Sequence, residues 1–226
     1  MDGVRLLYRP LASIAAHRVL IGRLRSRDTA EKGRFTRADV DGLLDAAWMH
    51  YRERIGNLPP QPTIGSTMNV RLACFTMSFF DALLVDRIER RYAIELIADA
   101  AWWVYRKWAW IAVLLAHMTP GKKVLGFATV EGNGDRRLIS LRFPFNAPGY
   151  RIETVNTQVG TAFDVVYCPI AAFFRSQDAA DLCIASWCNL DYALAEITRE
   201  KLVRTKTLAG GQDRCDFRVS EGGSAR

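Results

Sequence analysis

At Thr119-Pro120-Gly121 the spacing of apolar residues changes, and that change limits what this chain can become. Before it, apolar side chains recur every three or four positions, predicting helices at about 4–24, 37–55, 68–90 and 93–117. The breaks between them are chemical. Gly56-Asn57-Leu58-Pro59-Pro60-Gln61-Pro62 cannot continue a helix, because its three prolines fix φ and remove backbone donors. Thr36 can cap the helix that follows it. Beyond Gly121, two β-compatible runs at 124–130 and 137–145 flank Asn133-Gly134, a pair that tolerates the positive φ of a tight hairpin. A further strand is expected at 160–168, where Cys168-Pro169 stops it and opens a helical stretch over 170–197, in one or two pieces. Runs at 201–208 and 215–219 form a second hairpin about Ala209-Gly210-Gly211-Gln212-Asp213.

The expected fold is α+β, with a helical N-terminal half packed against a C-terminal antiparallel sheet of about four or five strands. It is expected as a single domain, 1–226. Its 1–120 portion is mainly helical, 121–219 carries the sheet, further helices and most cysteines, and 220–226 is a tail.

Half the residues are hydrophobic, enough for a packed core. The balance of 31 basic and 24 acidic residues leaves +7, a field that attracts anions without selecting one. The six arginines from Arg5 to Arg27 alternate with Leu6, Leu7, Leu11, Ile14, Val19, Leu20 and Leu24, the pattern of an amphipathic helix. There is no zinc finger, basic zipper or aromatic-basic RNA motif, so no nucleic-acid partner is expected. The opening segment lacks a secretory pattern, so the expected location is cytoplasmic. Tyr92 to Met118 is strongly apolar, but Glu95, Asp99, Arg106 and Lys107 would each cost about 2.5–3.5 kcal/mol at membrane depth. Stable membrane insertion is therefore not expected. Trp102, Trp103, Trp108 and Trp110 cover several faces of that helix, which suits core packing or a homo-oligomer interface. Five cysteines without a secretory signal read as reduced thiols.

The common catalytic templates are missing: no Gly-x-Ser-x-Gly elbow, His-Glu-x-x-His, Walker loop or Gly-x-Gly-x-x-Gly occurs. His17, His50 and His117 are scattered over predicted helices. The cysteines are more informative. Cys168 falls at a strand-to-helix junction, Cys188 precedes Asn189 and Asp191, and Cys215 precedes Asp216, all where side chains can reach a shared cleft. Cys74 and Cys183 lie among apolar helical residues and read as core. On a helix Cys188 and Asp191 share a face, whereas Cys183, five residues before Cys188, points about 140° away. A neighbouring carboxylate disfavours a thiolate. Asp191 would therefore accept a proton, orient water or hold a cationic amidine. No cofactor is expected; the alternative is a zinc ion on Cys168, Cys188 and Cys215, although their spacing contains no Cys-x-x-Cys knuckle.

Three blocks then resemble one family. Val166-Tyr167-Cys168-Pro169, Trp187-Cys188-Asn189-Leu190-Asp191-Tyr192, and Arg204 through Arg218 with its Cys215-Asp216-Phe217 look like the L-2-amino-thiazoline-4-carboxylic acid hydrolases. The resemblance covers about 60–219, including Asn69 in its helical part. It implies hydrolytic opening of a five-membered cyclic amidine or thiazoline. Carried over by motif, Cys188, Asp191, Cys168 and Cys215 are the catalytic candidates, and Asn69, Asn189, Arg204 and Asp216 the substrate-binding ones. The closing hairpin is also similar to the small-molecule-binding 4-vinyl reductase domains, which supplies a non-catalytic rival. The expected function is a hydrolase acting on C–N bonds of a small heterocyclic substrate, with Cys188 as nucleophile and Arg204 holding a substrate carboxylate.

Overall fold

The computed structural model describes residues 3–118, 130–131, 149–158 and 160–221, of which 3–7, 108–118, 130–131, 198 and 221 are described by backbone alone. Helices come first: α1 (Gly3–Leu20), α2 (Arg37–Ile55), α3 (Ile64–Val85) and α4 (Arg90–Met118). α2 begins where the sequence predicts. Thr36 Oγ1 accepts the Asp39 N–H at 3.2 Å while the Asp39 carboxylate accepts the Thr36 N–H at 2.7 Å, a reciprocal cap. α3 starts four residues before its expected position, because the Thr63 and Ser66 hydroxyls accept each other's backbone N–H at 3.3 and 3.1 Å.

The chain divides into two compact units, 1–59 with 70–104, and 60–69 with 105–226. The first unit is built on an aromatic core. The Trp48 ring lies 4.2 Å from Phe75, which stacks in turn on Phe79, and Val40 and Leu83 are fully buried beside such groups. Arg25 bridges Asp39 and Asp86, and Arg54 pairs with Asp81, closing the polar rim of this unit. His17 pairs with Asp41 and His50 with Glu53, both in this unit; the His117 side chain lies outside the described residues. By length and composition alone, α3 could cross a membrane, but its apolar residues Ala73, Cys74, Phe80 and Leu83 are buried in protein.

The second unit holds a sheet in the order β1-β2-β3-β5-β4, comprising β1 (Val130–Glu131), β2 (Arg151–Val155), β3 (Thr161–Tyr167), β4 (Glu200–Val203) and β5 (Cys215–Glu221). β2, β3, β5 and β4 are antiparallel neighbours, as an α+β reading requires. Val130 and Glu131 pair in parallel with Ile152 and Glu153, while the rest of the first expected hairpin, its Asn133-Gly134 turn and its 137–145 run included, lies outside the described residues. β2 was not anticipated, although Ile152 is buried between exposed Arg151 and Glu153, the alternation of a half-buried strand.

Between β3 and β4 run α5 (Pro169–Ser176), α6 (Ala180–Cys183), a π-turn (Ile184–Cys188) and α7 (Leu190–Thr198). Phe163 of β3 stacks at 4.7 Å on Phe217 of β5, and both are buried. Gly160 enters β3 with φ of 75°, where a Cβ would fall 2.2 Å from the Val219 carbonyl oxygen; only glycine permits that approach.

Candidate active site

Four cysteines belong to the second unit, and different elements deliver each of them. Cys168 ends the β3 strand path in an extended conformation, and its Sγ accepts the Ala171 N–H at 3.4 Å, capping α5 ahead of Pro169. Cys215 opens β5, with its Sγ accepting the Leu208 N–H at 3.2 Å. Cys188 closes the π-turn. No disulfide joins the cysteines among the described residues.

The π-turn corrects the reading of Cys183. In an α-helix, residues five apart point about 140° away from each other. Here the Asn189 N–H reaches back five residues to the Ile184 carbonyl at 3.2 Å, and the wider turn swings the two side chains onto one side. Cys183 Sγ lies 4.0 Å from Cys188 Sγ, so Cys183 is a buried residue that also touches the candidate nucleophile.

Asp191 stands in the first turn of α7. Its Oδ2 accepts an N–H of Arg204 at 3.0 Å, in a pair whose side chains are only 17% and 3% exposed. The Arg204 guanidinium carbon is 5.3 Å from the Tyr192 ring and 5.4 Å from the Phe217 ring, so two aromatic faces fix the cation. Its buried Nε has no hydrogen-bond partner among the described residues.

Asn69 belongs to the short 60–69 piece of the same unit and reaches the cluster through Tyr150. The buried Tyr150 hydroxyl is hydrogen-bonded with both Asn69 and Cys168. Sequence reasoning missed Tyr150, which directly precedes the unanticipated β2. Burial raises this phenol above its ordinary range, Cys168 reinforces the rise, and the Asn69 hydrogen bond opposes it.

The four thiols are not equivalent. Burial pushes Cys168 upward, the Ala171 N–H opposes that, and Cys188 and Cys215 add to it. Burial likewise pushes Cys215 up to about 11 against the Leu208 N–H. Cys183 is raised by its hydrogen bond with Cys188 and then by burial. Cys188 alone is lowered: the Cys183 hydrogen bond favours its thiolate and Arg204 helps, outweighing burial and the Asp191 charge. The neighbours of Cys188 thus favour its thiolate, whereas burial opposes ionisation of Cys168 and Cys215.

Asp216, a substrate-binding candidate, holds the turn beside Arg204. Adjacent strand residues face opposite sides, so Asp216 turns away from the face of Cys215. Its carboxylate accepts the Thr205 N–H at 2.8 Å, the Thr205 hydroxyl at 2.6 Å and the Lys206 N–H, tying down the turn next to Arg204. Burial works against its ionisation, but these bonds together hold the carboxyl below its ordinary value. Asp216→Ala should cost about 1–2 kcal/mol in urea unfolding at pH 7. With a lowered folded-state pKa, that contribution is present above the ordinary carboxylate range and is lost as pH falls through the folded value. An unchanged unfolding midpoint would show that other contacts hold the turn. Asn189, another substrate-binding candidate, closes the π-turn through its backbone N–H. Among the described residues no three His, Cys, Asp or Glu side chains gather as a metal-holding group.

Comparison with known proteins adds one finding. Residues 109–219 match the model of the L-2-amino-thiazoline-4-carboxylic acid hydrolases, just under half of the chain and all of the cluster except Asn69 and its 60–69 piece. No curated protein and no solved structure matches the chain. Over residues 109–219, this chain is similar to the L-2-amino-thiazoline-4-carboxylic acid hydrolase family.

Proposed function

We propose that the protein is a hydrolase that opens a small cyclic amidine, thiazoline or lactam-like ring, with Cys188 as its nucleophile. The observation that carries this reading is the setting of Cys188: a half-buried sulfur 4.0 Å from Cys183 Sγ, three residues before Asp191 and its 3.0 Å partner Arg204, whose charge favours the Cys188 thiolate. Attack by the Cys188 thiolate on the carbon of the C=N or amide-like bond forms a C–S bond, and the ring heteroatom is expelled, opening the ring and taking up a proton from solvent. Water then attacks the same carbon and loses a proton to Asp191, which passes it to solvent, while the C–S bond breaks and Cys188 leaves as thiolate. Arg204 serves twice, orienting Asp191 through its 3.0 Å bond and offering the unpartnered Nε to a substrate carboxylate. Tyr150 links Asn69 to Cys168 beside this centre.

The test is a panel of cyclic amidines, thiazolines and lactams incubated with the full chain and followed by mass spectrometry. At least one thiazoline or cyclic amidine is expected to gain the mass of one water at a rate proportional to enzyme. Saturable binding across the panel without any such gain would replace this reading with that of a small-molecule-binding module.

A further inference from the structure

Cys183 takes no part in the chemistry above, yet its sulfur is 4.0 Å from that of Cys188. The contact depends on the π-turn, because in an uninterrupted α-helix the two side chains would diverge. Either thiol could donate the hydrogen; their surroundings differ. Cys183 is 1% exposed, whereas Cys188 is half-buried and faces the Arg204 cation. If the pair loses one proton, the negative charge is better placed on the sulfur next to a cation and nearer to water, and the remaining hydrogen stays on Cys183.

The other groups facing Cys188 do not replace this donor. Asp191 on α7 disfavours the thiolate, and its carboxylate already accepts from Arg204. Cys168 before α5 and Cys215 on β5 hold their protons, and both sulfurs accept backbone N–H groups instead. Arg204, after β4, supplies charge, while Cys183 supplies the directed hydrogen bond.

We infer that Cys183 is a positioning residue, whose thiol donates to Cys188 Sγ across the π-turn and makes Cys188 the reactive sulfur of the cluster. The catalytic consequence rests on the proposed role of Cys188; the ionisation itself does not. The test is alkylation of the full chain by iodoacetamide as a function of pH, with each cysteine followed by peptide mass spectrometry. Wild type is compared with Cys183→Ala, Cys183→Val and Cys183→Ser. In wild type, Cys188 should be modified ahead of Cys183 with a midpoint below that of a free thiol. Alanine and valine, which cannot donate, should raise the midpoint by about one pH unit, and serine, which can, should restore most of it. The acid limb of kcat/KM should move with the midpoint, while kcat at high pH changes little. Alkylation of Cys183 before Cys188 in wild type, or an unmoved midpoint in the alanine and valine variants, overturns the inference. Should those two variants fail to fold, wild type and Cys183→Ser still decide it, because a serine midpoint a full unit higher overturns it as well. Alkylation needs no substrate, so failure of the hydrolase reading would show separately, as a low Cys188 midpoint without turnover.

Discussion

Replacing Cys188 with serine should lower turnover on the order of a thousandfold or more, and the variant should unfold at the same urea concentration as wild type. The difference lies in the proton. Cys183 and Arg204 favour a thiolate at Cys188, but a serine hydroxyl is so much weaker an acid that the same two neighbours leave it protonated near neutral pH. The fold should tolerate the change because it replaces one atom of a half-buried side chain. Cys168→Ser and Cys215→Ser are the appropriate controls. Their sulfurs serve as acceptors for the Ala171 and Leu208 N–H groups, which a hydroxyl can also do, so each variant should stay within roughly tenfold of wild type. Initial rates of ring opening decide the matter. Full activity in Cys188→Ser would remove the nucleophile from this account.

The second large effect is on stability. Arg204→Met leaves the Asp191 carboxylate, only 17% exposed, without its cation, and should destabilise the fold by about 3–5 kcal/mol in urea unfolding. Methionine keeps much of the bulk between the Tyr192 and Phe217 rings, so most of the loss belongs to the stranded charge. Lysine should rescue little, since its point charge cannot stack between two rings and reach Asp191 with a planar fork. Adding Asp191→Asn to Arg204→Met should recover part of the loss, because the two positions are coupled. A cost under about 1 kcal/mol for Arg204→Met would mean that Asp191 finds other partners.

What was legible in the sequence follows from how local each signal is. The α2 start is written in Thr36 and Asp39, three residues apart, and the β3-to-α5 junction in Cys168-Pro169; both elements begin where those residues place them. The closing hairpin was legible from the glycines of its turn, and β4 and β5 are antiparallel neighbours; on β5, Asp216 faces away from Cys215. Cys183 was not legible. A π-turn and an α-turn are built from the same residue types, and nothing in Ile184-Ala185-Ser186-Trp187-Cys188 announces a hydrogen bond that skips one residue further. Tyr150 was missed for a different reason: its importance depends on β2 bringing it to Asn69 and Cys168, a contact between segments far apart in the chain. The cysteines themselves were recognisable as candidates, but their ranking required the Arg204–Asp191 pair and the depth of each sulfur.

The central claim is that one sulfur in this cluster attacks the substrate. Intact-mass and peptide mass spectrometry of the protein, quenched during turnover of a thiazoline or cyclic amidine, tests it most directly. The account predicts a transient adduct on Cys188 that forms and decays at rates able to support turnover. Steady turnover with an adduct on another residue, or with Cys188 unmodified at every time point, would contradict it.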